Sequence, residues 1–264
     1  MNVKIGYVQT SPIFGEITQN FKQVEGLINN TKADLIVLPE LFATGYTFIS
    51  KEEAESSAEN TEGKTAEFLM RIAKRTGSVV VGGFIEKDGD QIFNSSMIVS
   101  DSEVIGTYRK LHLYYKEKLW FSPGNKPLEV YKVKGSKVGI MICFDWFFPE
   151  TIRSLTLLGA DIIAHPANLV LSYCQSTMIT RCLVNRVFAV TSNRIGNETR
   201  GVDNFTFTGG SQIISYNGEI LSSGPNDNTC IDFVEIDVNQ ARDKNLNEYN
   251  NIISDRRTGF YSLE

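Results

Sequence analysis

The stretch Leu35-Ile36-Val37-Leu38-Pro39-Glu40 is a continuous apolar run closed by a proline and a carboxylate. Four consecutive aliphatic side chains leave no face for water. The run therefore reads as a strand buried on both sides, the kind found in sheets covered by helices. Upstream, residues 3–9 read as an opening strand, and residues 18–30 set Phe21, Val24, Leu27 and Ile28 on one helical face. Downstream, the pattern predicts an amphipathic helix over 65–75, an apolar strand at 79–81 and a hairpin around Asp88-Gly89. Residues 97–100 and 104–108 read as a further antiparallel pair. The second half carries strands at 138–143, 162–164 and 188–192, with helices over 149–158 and 175–186. Late strands at 212–215 and 231–236 follow, with a turn at Asn217-Gly218. Buried strands alternating with helices predict an α/β protein, and the interleaved hairpins predict a mixed sheet.

Composition narrows the function classes. The chain has 264 residues, 42% hydrophobic and 22% charged, which supports a sizeable core and excludes intrinsic disorder. No repeat, low-complexity tract or linker interrupts it, so a single domain over residues 1–264 is expected. The formal charge of −5 comes from 31 acidic and 26 basic residues, and no Lys/Arg run exceeds a dipeptide. Nucleic acid and anionic membrane surfaces are disfavoured as partners. No window approaches the ~18 apolar residues of a spanning helix, and residues 1–9 lack a signal-peptide pattern, so a cytoplasmic protein is expected. Cys143, Cys174, Cys182 and Cys230 lie far apart with no CxxC pair, and His112 and His165 are the only histidines. That spacing disfavours a zinc site or a disulfide framework, and no metal is expected.

Phosphate-cradling loops (GxGxxG, GxxxxGK[ST]) and the GxSxG nucleophile elbow are absent from the sequence. Instead, three apolar strands end on reactive groups: Glu40, Lys110 and Cys143. Ligands of open α/β sheets gather outside the carboxyl ends of strands. Each residue alone has an ordinary explanation, as a solvated turn carboxylate, a surface lysine and a small core cysteine.

Read jointly, Leu38-Pro39-Glu40-Leu41, Tyr108-Arg109-Lys110-Leu111-His112-Leu113 and Ile142-Cys143-Phe144-Asp145-Trp146-Phe147-Phe148-Pro149-Glu150 resemble the motifs of the nitrilase superfamily of carbon–nitrogen hydrolases. The resemblance continues through Gly45-Tyr46, Asn94-Ser95, Ser122-Pro123-Gly124, His165-Pro166-Ala167-Asn168, Arg181 and Asn185. It implies a four-layer α-β-β-α sandwich and a catalytic Glu40, Lys110 and Cys143, with no cofactor. Glu117 holds the place of a second family glutamate that positions the substrate nitrogen and Lys110. The implied reaction hydrolyses a small linear amide, releasing ammonia and a carboxylic acid through a Cys143 thioester. Small nitriles and N-carbamoyl amines are alternative substrates. Several amidases of the superfamily carry an arginine where Phe147 stands, a residue suited to gripping a carboxylate. With Trp146-Phe147-Phe148 there instead, a neutral, fairly apolar substrate is expected, bound by Phe144, Trp146, Phe147 and Asn168. Relatives pair through a helical face, so a homodimer or higher homo-oligomer is expected, and residues 239–264 around Tyr249 and Phe260 are candidates to cross to a partner. Relatives often carry a glutamate where Val184 stands, which leaves Arg181 in need of another partner.

The chemistry asks for these residue types. A thiol with its usual pKa of ~8.5 is mostly protonated, and a nearby carboxylate can take its proton. An ammonium and the Phe144 backbone N–H can steady the oxyanion that attack creates. Two rivals remain at this level. A Cys-His hydrolase would use Cys143 with His165, and a binding module would keep the fold without turnover.

Overall fold

Residues 35–37 are flanked on both sides by parallel strands, which is why that stretch has no polar face. The computed structural model describes residues 1–29 and 31–262. One six-stranded sheet holds β1 (Asn2–Gln9), β2 (Leu35–Val37), β3 (Val79–Asp88), β4 (Gln91–Val99) and β5 (Val104–Arg109). The second holds β6 (Val130–Val133), β7 (Ser136–Ile140), β8 (Ile162–Pro166) and β9 (Phe188–Ser192). After a separate hairpin, β10 (Asn197–Arg200) and β11 (Asp203–Thr206), it gains β12 (Gln212–Ile214) and β13 (Ile220–Ser223). The last strand, β14 (Cys230–Asp237), returns to pair antiparallel with β1 and completes the first sheet.

Strand periodicity sorts the core into layers. Leu35, Val37, Val79 and Val81 point toward the second sheet and pack with Ile140, Ile163 and Val190. Their neighbours Ile36 and Val80 point the other way and pack with Val24, Phe68, Leu69 and Ile72. Those partners belong to α1 (Ile17–Ile28) and, beyond the short α2 (Lys51–Ser56), to α3 (Lys64–Thr76). On the far side, after the one-turn α4 (Glu117–Trp120), α5 (Pro149–Leu157) and α6 (Cys174–Asn185) cover β7, β9 and β12. The architecture is the expected α-β-β-α sandwich. Among the described residues, no helix is long and apolar enough to cross a membrane.

Several boundaries move. The strand expected over 138–143 is regular only to Ile140, and Cys143 opens a tight 3₁₀ turn over Cys143–Phe147. The first helix ends at Ile28, with Asn29 turning out at φ +42°, while the expected end at Asn30 lies outside the described residues. In the C-terminal segment, α7 (Asn239–Arg242) is followed by irregular chain on which Tyr249 and Phe260 are exposed. The expected last two positions, 263 and 264, lie outside the described residues.

Candidate active site

Glu40, Lys110 and Cys143 follow the carboxyl ends of β2, β5 and β7, and the layered sheets bring those ends together. Gly83 allows the close approach of the Glu40 turn: a Cβ on it would overlap the Leu41 nitrogen and the Glu40 Cα. Lys110 is held by its own N–H, which donates to Asn94 O at 2.9 Å. Cys143 sits at φ +41°, in the left-handed region that costs a non-glycine residue on the order of 1–3 kcal/mol. That turn lifts the sulfur out of the strand path.

The side chains form one buried cluster. Lys110 Nζ donates to Glu40 Oε1 at 2.7 Å and to Glu117 Oε1 at 2.8 Å, with all three residues buried. Asn94 Nδ2 donates to the same Glu40 oxygen at 2.7 Å, and Tyr46 OH donates to Glu117 Oε1 at 2.6 Å. The second Glu117 oxygen accepts the Tyr114 N–H at 3.1 Å. Glu40 Oε2 is buried with no hydrogen-bond partner. Cys143 Sγ lies 3.7 Å from Asn168 O.

Electrostatics assigns the resting charges. Burial and the charge of Glu40 push the Cys143 thiol well above its ordinary pKa, with Lys110 opposing, so the thiol keeps its proton. Burial works against the Lys110 ammonium, but Glu117 and Glu40 outweigh it and raise its pKa. Burial also pushes the Glu117 carboxyl up, against the pull of Lys110. Cys174 and Cys182 are buried too, but burial alone raises their pKa, with no charged group beside them. Only Cys143 among these three thiols faces both a carboxylate and an ammonium.

A narrow cavity of about 10 Å³, close to the minimum that admits one water, opens over the sulfur. Tyr114, Phe144, Trp146, Asn168, Leu169 and Leu171 are among its walls. Of the expected substrate-binding residues, Phe144, Trp146 and Asn168 therefore line it, and both polar atoms of the Asn168 side chain are buried without partners. Phe147 is a correction. It is 48% exposed and absent from the cavity, because the tight turn points its ring outward against Phe144 and Trp146.

His165 does not approach the sulfur through either ring nitrogen. Nε2 lies 3.0 Å from Cys143 O and Nδ1 3.0 Å from Thr191 Oγ1, and burial lowers its pKa to about 4. It is a neutral strut under the turn. Asn193 is likewise a tie between loops, accepting Leu169 N–H and donating to Gly209 O. Arg181 answers the missing glutamate by donating to the Trp146 and Phe147 carbonyls. Sequence reasoning gave Tyr46 and Asn94 no role and did not single out Tyr114. The first two do lie in segments flanking the motifs, whereas nothing local marks Tyr114.

Comparisons with known proteins show the family and the fold. The family model described as carbon-nitrogen hydrolase matches residues 4–245. A "Nitrilase" of Pyrococcus abyssi is 45% identical over 98% of this chain and 99% of its own. An "(R)-stereoselective amidase" of a Pseudomonas species is 31% identical over 91% and 87%. The crystal structure of a carbon-nitrogen hydrolase from Helicobacter pylori superposes with a TM-score of 0.86 at 22% identity, over 99% of this chain and 97% of that one.

Proposed function

The chain belongs to the carbon–nitrogen hydrolase family and is a hydrolase of nitrilase or amidase type, acting on C–N bonds other than peptide bonds; from that premise we propose that it hydrolyses small, neutral, linear amides through a thioester on Cys143. The observation that carries this reading is the buried Glu40–Lys110–Glu117 cluster, with one Glu40 oxygen left without a partner and the Glu40 charge acting on the Cys143 thiol. Glu40 Oε2 takes the thiol proton as Sγ bonds to the amide carbon. The Lys110 ammonium and the Phe144 N–H steady the oxyanion. As the C–N bond breaks, Glu40 returns the proton to the leaving nitrogen and ammonia departs. Water then attacks the thioester carbon, giving a proton to Glu40, which passes it back to sulfur as the acid leaves. Glu117, pinned by Tyr46 and the Tyr114 N–H, positions Lys110.

An apolar cavity with no charged side chain in its lining among the described residues supports a neutral substrate. Nitriles are the second reading, favoured by the name of the 45% identical relative. Ammonia release from a panel of aliphatic amides, carbamoyl amines and nitriles, with Cys143→Ala as control, tests both. Activity surviving in that control refutes the mechanism.

The proposal extends to assembly and location: one domain spanning residues 1–264, paired as a homodimer or higher homo-oligomer in the cytoplasm. Pairing is supported by Leu157, Leu183 and Val184, exposed on α5 and α6, and by Leu158 just past the end of α5. Free thiols at all four cysteines support a reducing compartment. Sedimentation velocity tests the assembly, and a monomer at micromolar concentration contradicts it.

A further inference from the structure

The β10–β11 hairpin joins neither six-stranded sheet among the described residues, so something other than a strand ladder holds it in place. Its register sets Glu198 opposite Phe205 and Arg200 opposite Asp203. Alternation along each strand puts these four side chains on one face. That face is buried or half-buried, whereas Asn197, Thr199, Asn204 and Thr206 on the other are exposed. The covered face meets the two loops that supply Glu117 with its donors besides Lys110. On one side, Glu198 Oε2 accepts the Thr47 N–H at 2.8 Å, Thr47 Oγ1 at 2.7 Å and the Tyr46 N–H at 3.1 Å. Its other oxygen pairs with Arg194, and a Cβ on Gly45 would come within 2.9 Å of that oxygen. On the other side, Asp203 accepts from Lys116 Nζ at 2.6 Å and from Tyr115 OH at 3.4 Å. Tyr115 stands at φ +50°, a region that disfavours an aromatic residue, so this turn needs an outside hold. Phe205 spans the gap, its ring centroid 6.0 Å from that of Tyr46 and 6.2 Å from that of Tyr115, edge-on to both.

We propose that Glu198 and Asp203 are positioning residues for the reaction, acting through Glu117; this rests on the role given to Glu117 in the proposed function. Glu198 grips Tyr46 by its backbone, and the phenol of that residue reaches Glu117 Oε1 at 2.6 Å. Asp203 grips residues 115 and 116, and the N–H of the preceding Tyr114 reaches Glu117 Oε2 at 3.1 Å. A drift of roughly an ångström in either loop breaks its contact. Glu117 then loosens on Lys110 Nζ, and the ammonium loses one of its two carboxylates. Four donors surround Glu198: two backbone N–H groups, a hydroxyl and a guanidinium. An amide cannot replace it, because its NH2 faces a donor whichever way it lies.

The test is the kcat–pH profile of Glu198→Gln and Asp203→Asn in the full chain, each alone and combined with Tyr46→Phe, on the substrate the parent turns over fastest. Glu198→Gln is expected to lower kcat about five- to tenfold with KM within about twofold. Its acid limb should move upward, because burial raises the Glu117 pKa and the Tyr46 hydrogen bond opposes that rise. In the Tyr46→Phe background the same substitution should cost less than about twofold, since the bond it serves is already gone. Asp203→Asn works through the Tyr114 N–H and should cost about threefold in either background, again with a raised acid limb. Thr199→Ala, on the exposed face, is the control and should leave kcat unchanged. Fully additive losses in Glu198→Gln and Tyr46→Phe overturn the proposal. So does a lowered melting temperature with kcat and the acid limb as in the parent. Where Glu198→Gln fails to fold, Asp203→Asn decides by itself, and an unmoved acid limb there overturns the proposal. A parent silent on every substrate refutes the proposed function, and an inert Tyr46→Phe refutes the support given to Glu117; this proposal falls with either.

Discussion

Two adjacent residues at the end of β5, Arg109 and Lys110, each enter a buried ion cluster, and the clusters differ in what they leave open. Strand alternation sends the two side chains to opposite faces. Arg109 donates to Glu86 at 2.5 and 3.0 Å, to Asp88 at 2.7 Å and to Asn125 at 2.8 Å, and it lies 3.9 Å above the Phe93 ring. Ser95 Oγ donates to Glu86 as well, so that carboxylate is closed on every side. Lys110 is shared between two carboxylates, and the cluster keeps a free Glu40 oxygen and acts on a protonated thiol that itself lines a cavity. Buried charge alone therefore does not mark a reactive site. An unspent acceptor whose charge reaches a thiol is the better pointer, because leaving it bare costs stability that a purely structural cluster would recover.

The largest expected effect falls on the open cluster. Cys143→Ala should lower ammonia release by at least ~10⁴-fold with the circular dichroism spectrum unchanged. Glu40→Gln should follow at ~10²–10⁴-fold in kcat, since the amide cannot take the thiol proton. Its thermal stability should change little, because the cluster holds two carboxylates against one ammonium. Arg109→Met should invert that pattern. Stranding Glu86 without its guanidinium costs about 3–5 kcal/mol by urea unfolding, and kcat measured on the folded fraction should stay within a few-fold. A catalytic collapse in Arg109→Met with stability intact would erase the distinction between the two clusters.

His165 sharpens the same distinction, since it touches the nucleophile's residue without touching its chemistry. Burial lowers its pKa to about 4, against ~6.5 in an unfolded chain. Protonation therefore favours the unfolded state. The stabilisation is complete above pH ~6.5 and is lost as pH falls from there through 4, about 3 kcal/mol in all. Urea unfolding from pH 7 to 4.5 should show a shallower acid decline in His165→Gln than in the parent. A kcat loss of ~10² or more in that variant would return the Cys-His reading to contention.

How far the sequence exposes all this depends on range. Apolar runs such as 35–38 and 79–81 announce themselves because parallel central strands exclude water from both faces. The α-β-β-α layering came from the motif resemblance, since no local pattern says which strands stack. The β10–β11 hairpin and the short α2 escaped notice. Their ties are distant polar contacts: Glu198 of the hairpin accepts the Tyr46 and Thr47 N–H groups, and Arg200 pairs with Glu53. Phe147 was chosen from the position where relatives carry an arginine, and that comparison does not say how the 3₁₀ turn over Cys143–Phe147 turns its ring. The motif residues were legible with their roles, whereas Tyr46 and Asn94 were quoted only as part of the resemblance, without a role. Their value lies in carboxylate oxygens more than fifty residues away, Glu117 for Tyr46 and Glu40 for Asn94.

Tyr46 supplies the smallest and most diagnostic effect. Glu117 Oε1 receives two donors, Lys110 Nζ and Tyr46 OH. The phenol is a dependable donor, because burial and the Glu117 charge raise its pKa well above the ordinary value. Its hydrogen bond acts to lower the Glu117 pKa, against the burial that raises it. Tyr46→Phe removes that support, so the Glu117 carboxyl should protonate at higher pH and hold Lys110 less well. A hydrogen bond to a charged group is worth about 1.5–3 kcal/mol, of which a part reaches the transition state. We expect kcat to fall about tenfold, roughly 1.4 kcal/mol, with KM little changed. The acid limb of the kcat–pH profile should also move upward. A uniform loss with an unshifted acid limb would mean that Glu117 acts only as packing, and the open cluster would then reduce to Glu40, Lys110 and Cys143.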